Sequence, residues 1–571
     1  MDNATLISPP APTFRELFTP KLITVLRAGY GLPQLRADLV AGLTVAIVAL
    51  PLSMAIAIAS GTTPERGLFT AIVGGLIISA LGGSRFQIGG PAGAFIVLVA
   101  ATIERHGLEG FFLATFLAGL ILVAMGLLRL GVYIKFIPQP VTIGFTAGVA
   151  LIIGASQLRD LFGLTLAGRE PAAFWPKLEA LWAAAASTNP AALVLSAATV
   201  AAIVLLRRYR PHWPAMLIAI AAASLAAAAL GLPVETIGTR FGGIPNALPL
   251  PAVPTFGLER IAAVLPDAFS LALLGGIESL LSAVVADTMT GRRHRSNCEL
   301  VAQGLGNMAS ALFGGICVTG TIARTATNIR SGAVGPVSGM LHSAFLLAFM
   351  LLAAPLASYI PLAALAAILV VVAWSMAERH EFWRILRRSR GDALVLLATF
   401  LLTVFRDLTE GIVVGVTLGS FLFMYRMTEV VSVETGMANP VDDVADDVDR
   451  SRPNGDGADG DTLVCRFTGP LFFGAATSIV TTLERIGGFP NTVILDLSRV
   501  PLADTSAAAS LKDFVERARS HGAAVFVAGA PPGVRQALRH EHLKLPETSF
   551  VASVEEARNA ASLRRSERAL A

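Results

Sequence analysis

The 571-residue chain has only three cysteines, five tyrosines and five tryptophans, and charged side chains make up just 15% of it. Cys298, Cys317 and Cys465 lie far apart with no CxxC spacing, which excludes a disulfide framework and a cysteine-based zinc site. His294 and His342 have no metal-ligand spacing and are assigned no role. Nowhere do a nucleophile, a base and an orienting group occur together, so the sequence does not support an enzyme and implies no cofactor. The first 35 residues, despite Phe14, Leu17 and Phe18, hold no continuous apolar core before Leu39. A cleaved signal peptide is therefore not expected, and the amino terminus is expected to stay inside the cell.

What the chain has in quantity is apolar text. Hydrophobic residues make up 54% and mean hydropathy is +0.67, outside the range of soluble globular domains. The net charge of +4 does not point to nucleic acid, because the basic residues cluster in short loops between apolar runs. These include Arg207, Arg208 and Arg210, then Arg292, Arg293 and Arg295, then Arg384 to Arg390. That distribution follows the positive-inside rule and places those loops in the cytoplasm.

A span needs roughly 20 apolar residues. Candidates lie near 39–59, 67–82, 92–103, 110–128, 136–157, 190–206 and 214–231, and again near 264–286, 299–313, 320–330, 336–354, 360–376, 391–405 and 411–426. These fourteen form two series of seven. The third member of each is too short and follows a glycine-rich approach, FQIGGPAG from Phe86 and GGICVTGT from Gly314. Asp38 and Asp267 open the two series, and SALGG from Ser79 recurs as SALFGG from Ser310. An odd number of spans per copy gives the copies opposite orientation, the signature of an inverted-repeat secondary transporter.

Extended backbone survives in a bilayer only when buried in protein or lining a wet cavity. Two half-helices starting near the midplane would aim free amides and about half a positive charge each at the gap between them, which should attract an anion. Arg324 lies one turn into the second half-helix. A buried arginine there is a functional candidate by default, either adding positive potential or pairing with Glu278, a carboxylate midway along an apolar helix. Glu278 is read as a proton carrier, and Ser282, four residues on, as sharing its helix face and cavity. Asp287 reads as a helix-end residue, and Gln303 and Asn307 as interhelical hydrogen-bond partners.

The text ESLLSAVVADTMTGRRHRSNCELVAQGLGNMASALFGGICVTGTIARTATNIRSGA, with DLVAGLTVAIVALPLSMAIA and PVTIGFTAGVALIIGASQL, resembles the SulP, or sulfate permease, family of anion transporters. The resemblance implies an α-helical membrane protein with a fourteen-span 7+7 inverted repeat. It further implies core and gate domains, an elevator-like displacement and, commonly, a dimer. By position it implies an anion site at Ala92, Gly93 and Phe95 in one repeat and Gly320, Thr321, Ile322 and Arg324 in the other, flanked by Pro51 and Leu52. Family members differ along this first-span stretch, several having glutamine or an acid where this chain shows Leu50, Pro51, Leu52 and Ser53. Sodium-coupled bicarbonate members have aspartate where Glu278 stands, and glutamate favours a proton over sodium as the coupling ion.

Beyond Tyr425 the period changes. Met437 to Asp461 has the composition of disorder, after which DTLVCRFTG, NTVILDLSRV and AAVFVAG read as strands and KDFVERARSHG as an amphipathic helix. This is a small α/β domain that resembles the STAS domain. The position matching the phosphorylated serine of anti-sigma antagonists is Ser506, but Ala507 replaces the usual glycine, and Asp504, Thr505 and Ser506 read first as a helix cap. The expected organisation is an amino-terminal cytoplasmic segment at 1–37 and a transport domain at 38–427, with repeats about 38–231 and 264–426. An acidic linker at 428–461, the STAS domain at 462–560 and a tail at 561–571 complete it. The function expected is secondary transport of sulfate, bicarbonate or a dicarboxylate through the inner membrane, with proton coupling. Sodium-coupled bicarbonate symport, anion exchange, nucleobase transport and a non-transporting scaffold are the alternatives.

Overall fold

In hydrocarbon every backbone amide and carbonyl must be satisfied within the protein, so the apolar runs fold as helices. The computed structural model describes residues 13–132, 137–168, 170–171, 173–210, 213–406, 408–430, 432–434, 462–472, 491–541, 543, 546 and 549–570. It divides into two units, Met1–Gly419 and Ser420–Ala571.

The first unit is helical. In chain order it contains α1 (Leu32–Ala59), α2 (Pro64–Leu81), the two-residue strand β1 (Gly89–Gly90), α3 (Gly93–Leu127), α4 (Gln139–Phe162), α5 (Pro190–Tyr209) and α6 (Ala215–Ala229). The second series is α7 (Leu258–Thr290), α8 (Ser296–Leu312), the strand β2 (Thr319–Gly320), α9 (Ile322–Arg330), α10 (Val337–Ala357), α11 (Leu362–Met376), α12 (Arg390–Phe405) and α13 (Leu408–Val430), of which the residues from Ser420 on are counted with the second unit. Each of the fourteen expected segments has a helical counterpart. Among the described residues nine helices are long and apolar enough to cross a membrane. The difference has physical causes. α3 joins two expected segments across a break at Gly107, where φ is 69°, α6, α8, α9 and α12 are shorter than a full crossing, and α11 reaches crossing length only together with the adjoining helix Arg379–Arg388. Helices at Phe174–Ala183 and Arg379–Arg388 were not expected.

The helices associate in two groups. α3 lies along α7 and α8, and α10 lies along α1, while α11 and α12 pack on α4 and α5 packs on α11. Small residues permit close approach. In α1, a Cβ at Gly42 would stand 2.5 Å from the Ser338 carbonyl oxygen of α10.

The second unit holds a five-stranded sheet in the order β3 (Ser432–Glu434), β4 (Thr462–Thr468), β5 (Thr492–Arg499), β6 (Ala524–Ala528), β7 (Phe550–Val551). The first pair is antiparallel and the rest are parallel, which requires cover on both faces. On one face Val493, Leu495 and Leu497 pack with Leu511 and Phe514 of α14 (Thr505–Ser520) and Val534 of α15 (Pro532–His540). On the other, Ile494 and Phe526 pack with Ala557 and Ala561 of α16 (Val554–Leu570). Two expectations are corrected here. Ser432–Glu434, assigned to the linker, is a strand paired with β4, and the tail at 561–571 begins as helix, held by buried Ala561. Residues 437–461, read as disordered, lie outside the described residues.

Asp504 caps α14 by accepting a hydrogen bond from the Ala507 amide at 2.9 Å, and Ser506 is exposed on the first turn. Burial pushes the Cys465 thiol up to about 12. Burial also acts to raise the Asp496 carboxyl, but hydrogen bonds from Ser498 and from Arg466 at 3.0 Å outweigh it and hold the group below its ordinary value.

Candidate functional site

The two glycine-rich approaches meet. β1 and β2 pair antiparallel, Gly89 with Gly320 and Gly90 with Thr319, so each supplies hydrogen-bond partners that extended backbone would otherwise lack in a bilayer. Side chains complete the set. Asn307 of α8 clasps Val318, its Oδ1 accepting from the amide at 3.0 Å and its Nδ2 donating to the carbonyl at 2.7 Å. The Ile88 amide donates to Thr325 Oγ1 at 3.2 Å. α3 then starts at Gly93 behind Ala92, and α9 at Ile322 behind Thr321, and neither start is capped by a side chain. Two sets of free amide donors and two positive helix ends therefore flank this crossing.

The glycines make room for polar side chains of the opposite repeat. A Cβ at Gly90 would lie 1.6 Å from Arg324 Nη1, and one at Gly320 would lie 1.7 Å from Gln87 Nε2. Neither position tolerates a larger residue without displacing that side chain. Arg324 is 2% exposed. Its Nη2 donates to Ser53 Oγ of α1 at 3.1 Å, while Nε and Nη1 have no protein partner. A buried guanidinium in that condition costs several kcal/mol unless an anion offsets it.

The other expected residues fall around this point. Ala92 and Phe95 are buried, the Phe95 ring lying against Gly275 of α7. Gly93 faces Met376 and Ile153, side chains of the second helix group. Pro51 and Leu52 are buried immediately before Ser53. Thr321 is buried with Oγ1 unpartnered, and Ile322 is exposed at the start of α9.

Glu278 stands apart. It forms no ion pair with Arg324, contrary to the pairing considered from sequence. Instead it lines a mostly apolar cavity with Val141 and Phe145 of α4, Leu274 and Ile277 of α7, and Ile412 of α13. Ser282 does not line that cavity. It is fully buried and donates to Thr325 Oγ1 at 3.2 Å. A step of four residues rotates a helix by about 40°, enough here to turn the short serine toward α9. Asp287 binds His294 Nδ1 at 2.7 Å, a helix-end contact as expected. Gln303 bonds to Glu299 of its own helix at 2.8 Å rather than across helices.

Several residues of this region escaped the sequence reading. Ser53 and Gln87 are ordinary polar residues that gain meaning only from contacts with the other repeat. Glu299, fully buried, accepts from the Ser84 amide at 3.0 Å and so ties the turn before β1 to α8. His342, named from sequence without a role, is fully buried in α10 with both ring nitrogens unpartnered.

Comparison with known proteins agrees with this architecture. Residues 35–399 match the sulfate permease family and residues 456–557 the STAS domain. YvdB of Bacillus subtilis, named as a candidate sulfate transporter, is 40% identical over 504 residues, covering 88% of this chain and 92% of its own. The bicarbonate transporter BicA of a Picosynechococcus species is 31% identical over 528 residues, covering 90% and 91%. The solved structure of murine Slc26a9, an anion transporter, superposes with a TM-score of 0.83 at 19% identity, covering 98% of this chain and 97% of that one.

Proposed function

The chain belongs to the sulfate permease family, and from that premise we propose that it carries sulfate, bicarbonate or a small dicarboxylate through the inner membrane as a secondary transporter. The observation that carries the reading is Arg324, buried with two unpartnered nitrogens beside two uncapped helix starts. Dipole, amides and guanidinium act together on one negative solute. The group containing α1, α3, α7 and α9 moves as the core, carrying the anion, against a gate of α4, α5, α11 and α12, in an elevator-like displacement. The second unit and the amino terminus face the cytoplasm, and the protein works as a homodimer.

Glu278 is the proton carrier. It lies in the cavity between the two helix groups, with no ion-pair partner among the described residues, so entry of water there exchanges its proton with one side at a time. Uptake of labelled sulfate and labelled bicarbonate into proteoliposomes, under an imposed proton or sodium gradient, tests this directly. The expected result is accumulation driven by an inward proton gradient, with Glu278→Gln retaining anion binding but losing the pH drive. Accumulation driven by sodium alone would overturn the coupling, and no anion movement under any gradient would overturn transport.

A further inference from the structure

Asp38 and Asp267 occupy matching places, within the first three turns of α1 and α7, and both are buried at 0% and 4% exposure. Nothing in the transport reading uses them. Asp38 Oδ1 accepts from the amides of Val334 and Gly335 at 2.6 and 3.1 Å, and its Oδ2 accepts from the Tyr30 hydroxyl at 2.8 Å. Val334 and Gly335 lie in the turn that joins the far end of α9 to the start of α10. Asp267 Oδ1 accepts from Arg105 Nη2 at 2.7 Å, and its Oδ2 lies 2.9 Å from His106 Nε2. Arg105 and His106 end the half-helix that begins at Gly93, immediately before the break at Gly107. Asp267 therefore grips the far end of the first repeat's half-helix, and Asp38 grips the turn that follows the second repeat's half-helix.

Asp267 stands at a helix carboxy terminus, where the dipole disfavours a negative side chain, while the amides bound by Asp38 immediately precede the amino terminus of α10. Helix-dipole stabilisation cannot account for Asp267, whereas anchoring accounts for both acids. A half-helix is a stiff rod rising 1.5 Å per residue, so an axial slip at one end moves the amides at the other by the same amount. Recognition by aimed donors fails within about half an ångström of misplacement.

We propose that Asp38 and Asp267 are positioning residues of the anion site, each fixing the axial seat of the other repeat's half-helix. The proposal rests on the anion site described above, and Arg324→Ala run in parallel separates the two. The full-length protein in proteoliposomes is assayed with labelled sulfate and labelled bicarbonate, using whichever it accumulates. Asp38→Ala and Asp267→Ala raise KM about tenfold, the weight of one charge-assisted hydrogen bond, with kcat per folded transporter held within about twofold because uniform binding alone is lost. His106→Gln, which keeps a donor toward Asp267, stays near the parent KM, whereas His106→Ala raises it. Should an alanine variant of either acid fail to fold, Tyr30→Phe and Arg105→Gln remove one bond from each anchor and raise KM about threefold. A fall in folded protein and Vmax at unchanged KM, in these variants, overturns the proposal. If Arg324→Ala also leaves KM unchanged, the anion site itself is wrong; if it raises KM while the anchor variants do not, only the positioning role is.

Discussion

The two half-helix starts are alike in backbone and unlike in charge. Both emerge from a glycine-bearing strand, both lack a side-chain cap, and each strand makes room for a polar side chain of the other repeat. Yet the start of α3 offers only Ala92, Gly93 and Phe95, while α9 brings Arg324 within its first turn. Symmetry thus supplies the donors and the shape, and one departure from symmetry supplies the formal charge. The comparison teaches that fold and chemistry are set by different residues. Removing Arg324 is expected to leave the crossing intact, whereas the glycines cannot be enlarged without displacing Arg324 or Gln87.

Breaking the charge asymmetry should have the largest effect. Arg324→Ala is expected to weaken anion binding by about ten- to a hundredfold, the range for charge-assisted hydrogen bonds, with the thermal midpoint of the anion-free protein maintained; isothermal titration and thermal unfolding check the two halves. Gly90→Ala strikes the shared backbone instead. Its new Cβ meets Arg324 Nη1, and overpacking of this kind costs about 1–3 kcal/mol. Both stability and binding should fall, in contrast to Arg324→Ala.

The second unit sharpens the same contrast between scaffold and charge on a smaller scale. Asp504→Ala removes the α14 cap and should cost about 1 kcal/mol, read by hydrogen exchange of the α14 amides, while Ser506→Ala, altering an exposed side chain, should stay within about 0.5 kcal/mol. The depressed Asp496 carboxyl contributes stability that is present above its unfolded value and lost as pH falls through its lower folded value. Protection of the β5 amides should therefore decline on acidification, and Asp496→Asn should flatten that part of the decline.

Much of this was legible in sequence because it has local causes. Hydropathy marks the helices, paired glycine runs mark the crossing, and an arginine in the first turn of a half-helix marks itself. The partners of those residues were not legible. Ser53 for Arg324, Gln87 for Gly320 and Asp38 for Val334 are contacts between repeats more than two hundred residues apart, with no periodicity to announce them. Glu278 and Ser282 were assigned one cavity from spacing alone, and packing separated them. The buried face of α16 was missed because Ala557 and Ala561 carry so little apolar surface that their helix reads as a charged tail.

The central claim is that the anion sits between the two helix starts. Its most direct test is the anomalous signal of selenium in crystals of the full-length protein grown with selenate, a sulfate analogue. The predicted peak lies between the Gly93 and Ile322 amides, within hydrogen-bond reach of Arg324. A sole peak in the cavity beside Glu278, or no peak near the crossing under conditions where selenate is transported, would contradict it.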